Sequence, residues 1–142
     1  MKHAEFAFPG PLRDKLVAAI LRGDKTSTTG LVAEYEKYGE ELPVVGEREL
    51  MIDSAGEGVA VPETTEVHVL PLSEVDLQHA LDEGEGEGDT SVAEWRAGHT
   101  EYWQSAEMRA ALEDPEFTVD DTTLVVATRF VIVEVSPKER IG

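Results

Sequence analysis

The first residues whose types and spacing could do chemistry lie in segment 23–30, GDKTSTTG, where one lysine precedes four consecutive hydroxyl side chains between two glycines. The β-branched threonines favour an extended backbone, and in a strand Lys25 would share a face with Ser27 and Thr29. In a turn that alternation fails, and Lys25 and Thr28 would be free to converge. The segment is therefore either a pocket wall that offers a cation and a hydroxyl, or an ordinary connector between a helix and a strand.

A second candidate is segment 82–89, DEGEGEGD, which alternates acids with glycines. The glycines favour a loop, and the carboxylates would repel a phosphate, so the segment does not suit phosphate binding. Its acids suit either a divalent cation or acid–base work by one carboxylate. The spacing is not that of an EF-hand loop, and the plain alternative is a solvated acidic loop.

His99 is a polar residue on the apolar stripe of a predicted helix, which begins with a capping box formed by Ser91 and Glu94. It is either a hydrogen-bonded interior histidine or a pocket group that titrates near neutrality.

Arg129 lies in the most apolar strand pattern of the chain, residues 122–135. An unpaired buried charge is costly, so this arginine must be paired or must line a cavity. We expect its partner to be a structural carboxylate, an acid of segment 82–89 or an acidic ligand.

The surrounding pattern predicts the elements that position these residues. Strand 122–135 is apolar on both faces, which is typical of a central strand or one curved around a barrel. Helical signals cover 12–22, 31–38, 73–81 and a longer stretch from 92, and strand signals cover 49–53 and 59–70, with a break or an edge at Pro62.

Composition narrows the possible classes of protein. The 142 residues, 41% hydrophobic and 30% charged, fit a single soluble domain spanning 1–142. The absence of cysteine excludes thiolate catalysis, cysteine–zinc sites and disulfides. No apolar run approaches the roughly 18–20 residues that span a bilayer, so we expect no membrane partner and a cytoplasmic location.

The net charge of −18, from 12 basic and 30 acidic residues, narrows the possible partners. Such a surface repels polyanions, so duplex DNA is not an expected partner and binding to generic RNA should be weak. No Lys or Arg lies between Arg48 and Arg96. Any cation of a ligand pocket must therefore come from the N-terminal third, which includes Lys25, or from Arg96, Arg109 and Arg129.

The order and spacing of several motifs resemble the ASCH-domain family, named for homology to the activating signal cointegrator, over roughly residues 5–136. The resemblance implies an α+β fold, a small PUA-like β-barrel of about five to six strands with flanking α-helices. The matching motifs are Gly23-x-Lys25-Thr26-x-Thr28, Tyr35-Glu36, Leu42-Pro43-x-x-Gly46, Thr64-Thr65, Glu85-Gly86-Glu87-Gly88-Asp89-x-Ser91, Trp95-Arg96-x-x-His99 and Arg129-Phe130.

The resemblance also implies a ligand class, because the family is associated with RNA and nucleotide-related ligands. Some members are ribonucleases, and a small bacterial member hydrolyses the acetyl amide of N4-acetylcytidine. The broad family motif is Gly-x-Lys-x-x-Glu-x-Arg; Gly23 and Lys25 match it, whereas Thr28 and Gly30 replace its Glu and Arg.

The amidohydrolase branch uses a lysine and a threonine three positions apart, which Lys25 and Thr28 match. Its catalytic carboxylate precedes the long helix, where Glu87 is the nearest equivalent and Glu85 the rival. A lysine can act as a base or stabilise an oxyanion, and a glutamate can protonate a leaving amine or activate water.

We therefore expect a pocket for short RNA or a modified nucleoside or nucleotide, with hydrolysis of a nucleoside amide as the favoured reaction. A non-catalytic RNA-binding or nucleotide-binding module and a metal-dependent ribonuclease remain alternatives. No cofactor and no metal are expected for the favoured reaction, and the oligomeric state is left open. The expected catalytic residues are Lys25, Thr28 and Glu87, and the expected ligand-binding residues are Arg129, Glu85, Ser27, Tyr35 and His99.

Overall fold

The computed structural model describes residues 1–84 and 91–135, which fold into five helices, one short 3-10 turn and a five-stranded sheet. The strands are β1 (His3–Ala4), β2 (Ser27–Leu31), β3 (Leu50–Ile52), β4 (Gly58–Pro71) and β5 (Leu124–Val135). The helices are α1 (Pro11–Arg22), α2 (Val32–Lys37), α3 (Leu77–Glu83), α4 (Val92–Trp103) and α5 (Ala106–Leu112), with the 3-10 turn at Leu72–Glu74.

The sheet is mixed and open, with strand order β1-β3-β4-β5-β2. Strands β1 and β3 are parallel, and the other neighbours are antiparallel. The α+β class is confirmed, but the closed barrel is not found among the described residues. Strands β1 and β2 lie at opposite edges, and β1, with two residues, offers few backbone groups for a closing ladder.

Strand β5 is central, as its two apolar faces predict. It pairs with β4 along its length, from Leu124 opposite Pro71 to Val135 opposite Ala60, and its first half also pairs with β2. The register of the β4–β5 pair shifts beside Pro62. The predicted break at Pro62 is therefore an irregularity inside one long strand, which fits a residue that cannot donate to the ladder.

The end of α1 places Lys25 at the start of β2. Gly23 caps the helix in the left-handed region, with φ 85°, a conformation that favours glycine. The amides of Asp24 and Lys25 both donate to the carbonyl of Ala19, at 2.9 and 3.2 Å. The turn connects α1 directly to β2, and Lys25 lies two residues before the first residue of that strand.

Helix α4 begins at its predicted capping box, where Ser91 accepts the amide of Glu94. Helix α3 begins at Leu77 rather than at the predicted residue 73, because Asp76 caps it by accepting the amide of His79. Helix α3 runs two residues past the predicted 73–81 and ends at Glu83. The long helix predicted from 92 is in fact two helices, because Ser105 accepts the amide of Met108 and starts α5.

The packed interior is divided between two apolar clusters. One joins α1 to β3, β4 and Phe130, and the other gathers Leu31, Val125 and the two tryptophans of α4. Within the described ranges, every helix is too short or too polar to cross a bilayer.

The C-terminal end of α3 is held against the chain that leads into β2. The amide of Thr26 donates to the carbonyl of Asp82 at 2.8 Å. Gly84 ends the helix with φ +55°, and a Cβ atom added there would lie 2.2 Å from the carbonyl oxygen of Asp24. Glycine is therefore required at this position both for its conformation and for the close approach of two backbones.

We expect Gly84→Ala to lower the free energy of unfolding by about 2 kcal/mol or more, because the new methyl group clashes and a left-handed conformation is strained for alanine. Chemical denaturation monitored by circular dichroism measures the change. The matched control is Gly98→Ala in the middle of α4, where an added Cβ meets nothing within 4 Å. That control should raise stability by about 0.5–1 kcal/mol, and equal effects at the two sites would contradict the close approach.

Candidate functional site

Lys25 and alternate residues of β2 are buried on one face of the strand. Lys25 is 1% exposed, Ser27 is 0% exposed and Thr29 is 9% exposed. Thr28 is half-buried, pairs with Thr128 of β5 and alternates with these three. Segment 23–30 therefore follows the strand alternation, in which Lys25 shares a face with Ser27 and Thr29 and not with Thr28.

The ammonium group of Lys25 is paired with a carboxylate inside the protein. Its Nζ donates to the carbonyl of Ser27 at 2.8 Å and lies 3.5 Å from Oε1 of Glu83. The two side chains are 0% and 1% exposed. Removing both charges from water costs several kcal/mol per ion, and their attraction offsets this cost only with well-placed hydrogen bonds.

Glu83 receives those hydrogen bonds from three further side chains. The hydroxyl of Thr29 donates to Oε2 at 2.6 Å, Nε2 of His79 lies 3.3 Å from Oε2, and Nε2 of His99 lies 3.1 Å from Oε1. We call Lys25, Thr29, His79, Glu83 and His99 the Glu83 cluster.

The Glu83 cluster keeps its carboxylate ionised. Burial by itself raises the pKa of Glu83, but the charge of Lys25 and the hydrogen bonds of His79 and His99 outweigh it and hold that pKa well below its ordinary value. Such a carboxylate is ionised at neutral pH, so it can accept hydrogen bonds from its neighbours and stabilise a nearby positive charge.

The Thr29 hydroxyl has two polar groups within hydrogen-bond distance. Oγ1 of Thr29 lies 2.7 Å from Nε2 of His79 and 2.6 Å from Oε2 of Glu83. A hydroxyl becomes a useful nucleophile when a neighbouring base removes its proton and a third group orients that base. The Glu83 cluster contains all three kinds of group.

His99 connects the cluster to the aromatic residues of α4. Its ring is stacked on Trp95, with centroids 4.2 Å apart and planes inclined by 28°, and its Nδ1 lies 3.0 Å from the backbone carbonyl of Trp95. His99 is thus the hydrogen-bonded histidine that one of the two sequence interpretations describes. Its side chain is 15% exposed, more than the other ionisable members of the cluster.

Arg129 is paired and stands beside the cluster without contacting Glu83. Its Nη1 lies 2.5 Å from Oδ2 of Asp82, and its Nε lies 3.7 Å from Oε2 of Glu66. The expectation that an acid of segment 82–89 pairs with Arg129 is confirmed for Asp82, which belongs to the last turn of α3.

The other predicted site residues have different surroundings. Ser27 donates its hydroxyl to the carbonyl of His79 at 3.0 Å, which ties β2 to α3. Tyr35 lies on α2, where burial and then the charges of four glutamates, Glu49 foremost, raise its pKa to about 12. Glu85 and Glu87 lie outside the described residues, so their placement relative to Lys25 stays a prediction.

The sequence interpretation missed three members of the cluster, Thr29, His79 and Glu83. The sequence pattern ends the helix at residue 81 and so places Glu83 in an acidic loop. The missing signal is the cap: if Gly84 ends the helix, Glu83 is its last residue and lies one turn after His79. Burial of that turn then brings both side chains to β2.

A cavity of about 330 Å³ adjoins the buried lysine. It lies between the end of α1 and the second half of β5, and Lys25, Thr26 and Phe130 contribute to its lining. In the described ranges, no three His, Asp or Glu side chains are arranged to hold a metal ion. A metal ion at Glu83 would compete with the Lys25 ammonium, whose Nζ lies 3.5 Å from Oε1 of Glu83.

Comparison with known proteins identifies a family and a fold. The sequence model described as the ASCH domain matches residues 5–134. A search among curated proteins finds no match.

Among the solved structures that resemble the chain are two whose fold covers nearly all of it. One, a protein of Enterococcus faecalis V583 assigned to family DUF984, has a TM-score of 0.81 and 21% identity, covering 100% of this chain and 82% of its own. The other, an ASCH domain from Lactobacillus crispatus JV V101, has a TM-score of 0.74 and 24% identity, covering 94% of this chain and 79% of its own. At these identities the likeness shows the fold alone, which is α+β.

We expect Glu83→Leu and Lys25→Met each to destabilise the protein by about 3–5 kcal/mol, because each leaves a buried charge without its partner. The double variant should lose about 2 kcal/mol less than the sum of the two. Urea denaturation of the four proteins gives the coupling energy. The control is Asp24→Asn, which removes the exposed Arg22–Asp24 pair and should change stability by less than about 0.5 kcal/mol. Strict additivity of the two buried substitutions would contradict the pairing.

The same ion pair makes the free energy of unfolding depend on pH in the acidic range. Because the folded protein holds the pKa of Glu83 below its unfolded value, the stabilisation is present above that unfolded value, about 4.3, and is lost as pH falls through the folded pKa. The stability difference between wild type and Glu83→Gln should therefore shrink as pH falls below about 4. Denaturant titrations between about pH 5 and pH 2 measure it; a difference that grows as pH falls below about 4 would contradict the depressed pKa.

Proposed function

Because the chain belongs to the ASCH-domain family, we propose that it hydrolyses an amide of a modified nucleoside, of the kind present in N4-acetylcytidine. The observation that carries this proposal is the fully buried pair of Lys25 and Glu83, with the Thr29 hydroxyl bonded to the same carboxylate. Buried ionisable groups are costly to maintain, and such groups concentrate at functional sites.

The cluster supplies the groups that amide hydrolysis needs. The Thr29 hydroxyl donates to Oε2 of Glu83 at 2.6 Å, so this carboxylate is placed to accept its proton as the hydroxyl attacks, while His79 and His99 hold the carboxylate in position. Lys25 supplies a cation in a water-poor region, where it would stabilise an oxyanion strongly. The proton held by Glu83 can then pass to the leaving amine, and a water molecule deprotonated by the same carboxylate releases the acyl group from Thr29 as the free acid.

The charge of the protein favours a small ligand over a polynucleotide. With a net charge of −18, the surface repels a phosphate chain, whereas an uncharged nucleoside meets no such repulsion. A cavity of about 330 Å³, at the lower end of the size range for small-molecule sites, is lined by Lys25 but not by Thr29, His79 or Glu83.

Two threonines compete for the role of nucleophile. The family resemblance assigns it to Thr28, three positions after Lys25, whereas Thr29 is the hydroxyl that contacts His79 and Glu83. The carboxylate role is divided in the same way between Glu87, which the resemblance favours, and Glu83. We propose Thr29 and Glu83 as the working pair, with Thr28 and Glu87 as the alternative.

We expect purified protein to release cytidine from N4-acetylcytidine and Thr29→Val to lower kcat/KM by at least about 10³-fold, because it removes the nucleophile without changing side-chain volume. Thr28→Val should stay within a few-fold of wild type. The matched control is Thr65→Val at an exposed position of β4, and thermal melting of each variant verifies folding.

Each outcome of this comparison has a definite meaning. Loss of activity in Thr28→Val with retention in Thr29→Val would transfer the role to Thr28. Background rates for wild type and Lys25→Met alike would reject the hydrolase. Saturable binding of the nucleoside without turnover would instead indicate a non-catalytic binding module.

A further inference from the structure

We propose that His99 carries a proton on both ring nitrogens and, as an imidazolium, holds the Glu83 carboxylate in position for the Thr29 hydroxyl. It is a positioning residue, since it contacts Glu83 rather than the attacking group. Its catalytic consequence rests on the proposed hydrolase function, but its protonation state can be measured without any activity.

The proton on Nδ1 follows from the partner of that nitrogen. Nδ1 of His99 lies 3.0 Å from the backbone carbonyl oxygen of Trp95. A carbonyl oxygen only accepts hydrogen bonds, so the nitrogen must donate. A neutral histidine carries one ring proton, and this contact fixes that proton on Nδ1.

The proton on Nε2 follows from the state of Glu83. Nε2 of His99 lies 3.1 Å from Oε1 of Glu83, the oxygen that also faces the Lys25 ammonium at 3.5 Å. The second oxygen accepts the Thr29 hydroxyl. An ionised carboxylate only accepts, so an unprotonated Nε2 would set two acceptors against each other inside the protein.

The surroundings of the ring favour its positive charge. His99 is stacked on the face of Trp95 with centroids 4.2 Å apart, an arrangement in which the π-electrons of an indole attract a cation. Trp103 meets the ring edge-on at 5.3 Å. Trp95 is 1% exposed, so the attraction operates out of water, where it is stronger.

Two described parts of the fold contribute charged or titratable groups to the surroundings of His99, and a third contributes aromatic rings. Helix α3 contributes Glu83 and His79, and Lys25 reaches the same carboxylate from the turn before β2. Helix α4 contributes the tryptophans. Since His99 is the most exposed ionisable member of the cluster, at 15%, it is the member that exchanges its proton most readily with solvent.

Loss of the Nε2 proton at higher pH would turn an attraction into a repulsion at Oε1. The folded protein holds a proton that an unfolded histidine releases near neutrality, so this stabilisation is present at low pH and is lost as pH rises. The Glu83 carboxylate would then be free to turn away from Thr29. The site is thus assembled below an upper pH limit set by His99.

The test is NMR of the histidine ring nitrogens across pH 5 to 9. We expect both nitrogens of His99 to be protonated at pH 7, with a titration midpoint about one pH unit or more above that of the exposed His3 in the same sample. In Glu83→Gln, if folded, the midpoint should fall to that of His3 or lower. In Thr26→Val, which leaves Glu83 in place, it should not move. A single protonated nitrogen at pH 7, or a midpoint equal to that of His3 in wild type, would overturn the proposal.

Activity gives a second and separable readout. His99→Gln presents an amide donor in the place of Nε2–H but does not titrate, so kcat at pH 7 should remain within about tenfold of wild type while the alkaline decline in rate disappears. An unchanged alkaline decline would overturn the positioning role. If wild type is inactive on the nucleoside, the hydrolase proposal fails, whereas the NMR result still decides the protonation of His99.

Discussion

The rest of the site depends on one buried ion pair, Lys25 with Glu83. Neither charge is tolerable inside the protein without the other, and neither is satisfied by the other alone. Ser27 completes the hydrogen bonding of the lysine, and Thr29, His79 and His99 complete that of the carboxylate. The contacts between β2, α3 and α4 are arranged so that this pair is surrounded by donors and acceptors, which explains why polar residues occupy strand positions that would otherwise be apolar.

Two local backbone conformations place the members of that pair inside the protein. The left-handed turn at Gly23 directs Lys25 inward, and the close backbone approach at Gly84 ends α3 where Glu83 faces β2. Strand β5 supplies the rigid surface on which β2 is registered, residue by residue, from Arg129 to Val125. Arg129 then anchors the outer side of α3 through Asp82, so the last turn of this short helix is held by ion pairs on two sides.

Much of the fold was predictable because its signals are local. The proline and glycine that bound α1, the capping box of α4 and the apolar run of β5 all act within a few residues, and each gave the correct element. That the sheet stays open, with β1 and β2 at its opposite edges, was not predictable, because closure depends on how far these two short strands extend. In the site, Lys25, Ser27 and His99 were selected for their types, but Glu83 was hidden by an uncertain helix end. When the end of the helix moves by two residues, Glu83 changes from a predicted solvated acid to the central residue of the cluster.

The aromatic side of the cluster has a practical consequence. The protein has two tryptophans, and both are buried on α4 beside His99, one stacked on its ring and one against its edge. Its intrinsic fluorescence therefore arises beside the ionisable groups of the site rather than being averaged over the molecule. A change in the charge of one imidazole, or displacement of that ring by a bound molecule, alters the environment of the whole emitting population. The protein carries its own optical probe at the place where its chemistry is proposed to occur.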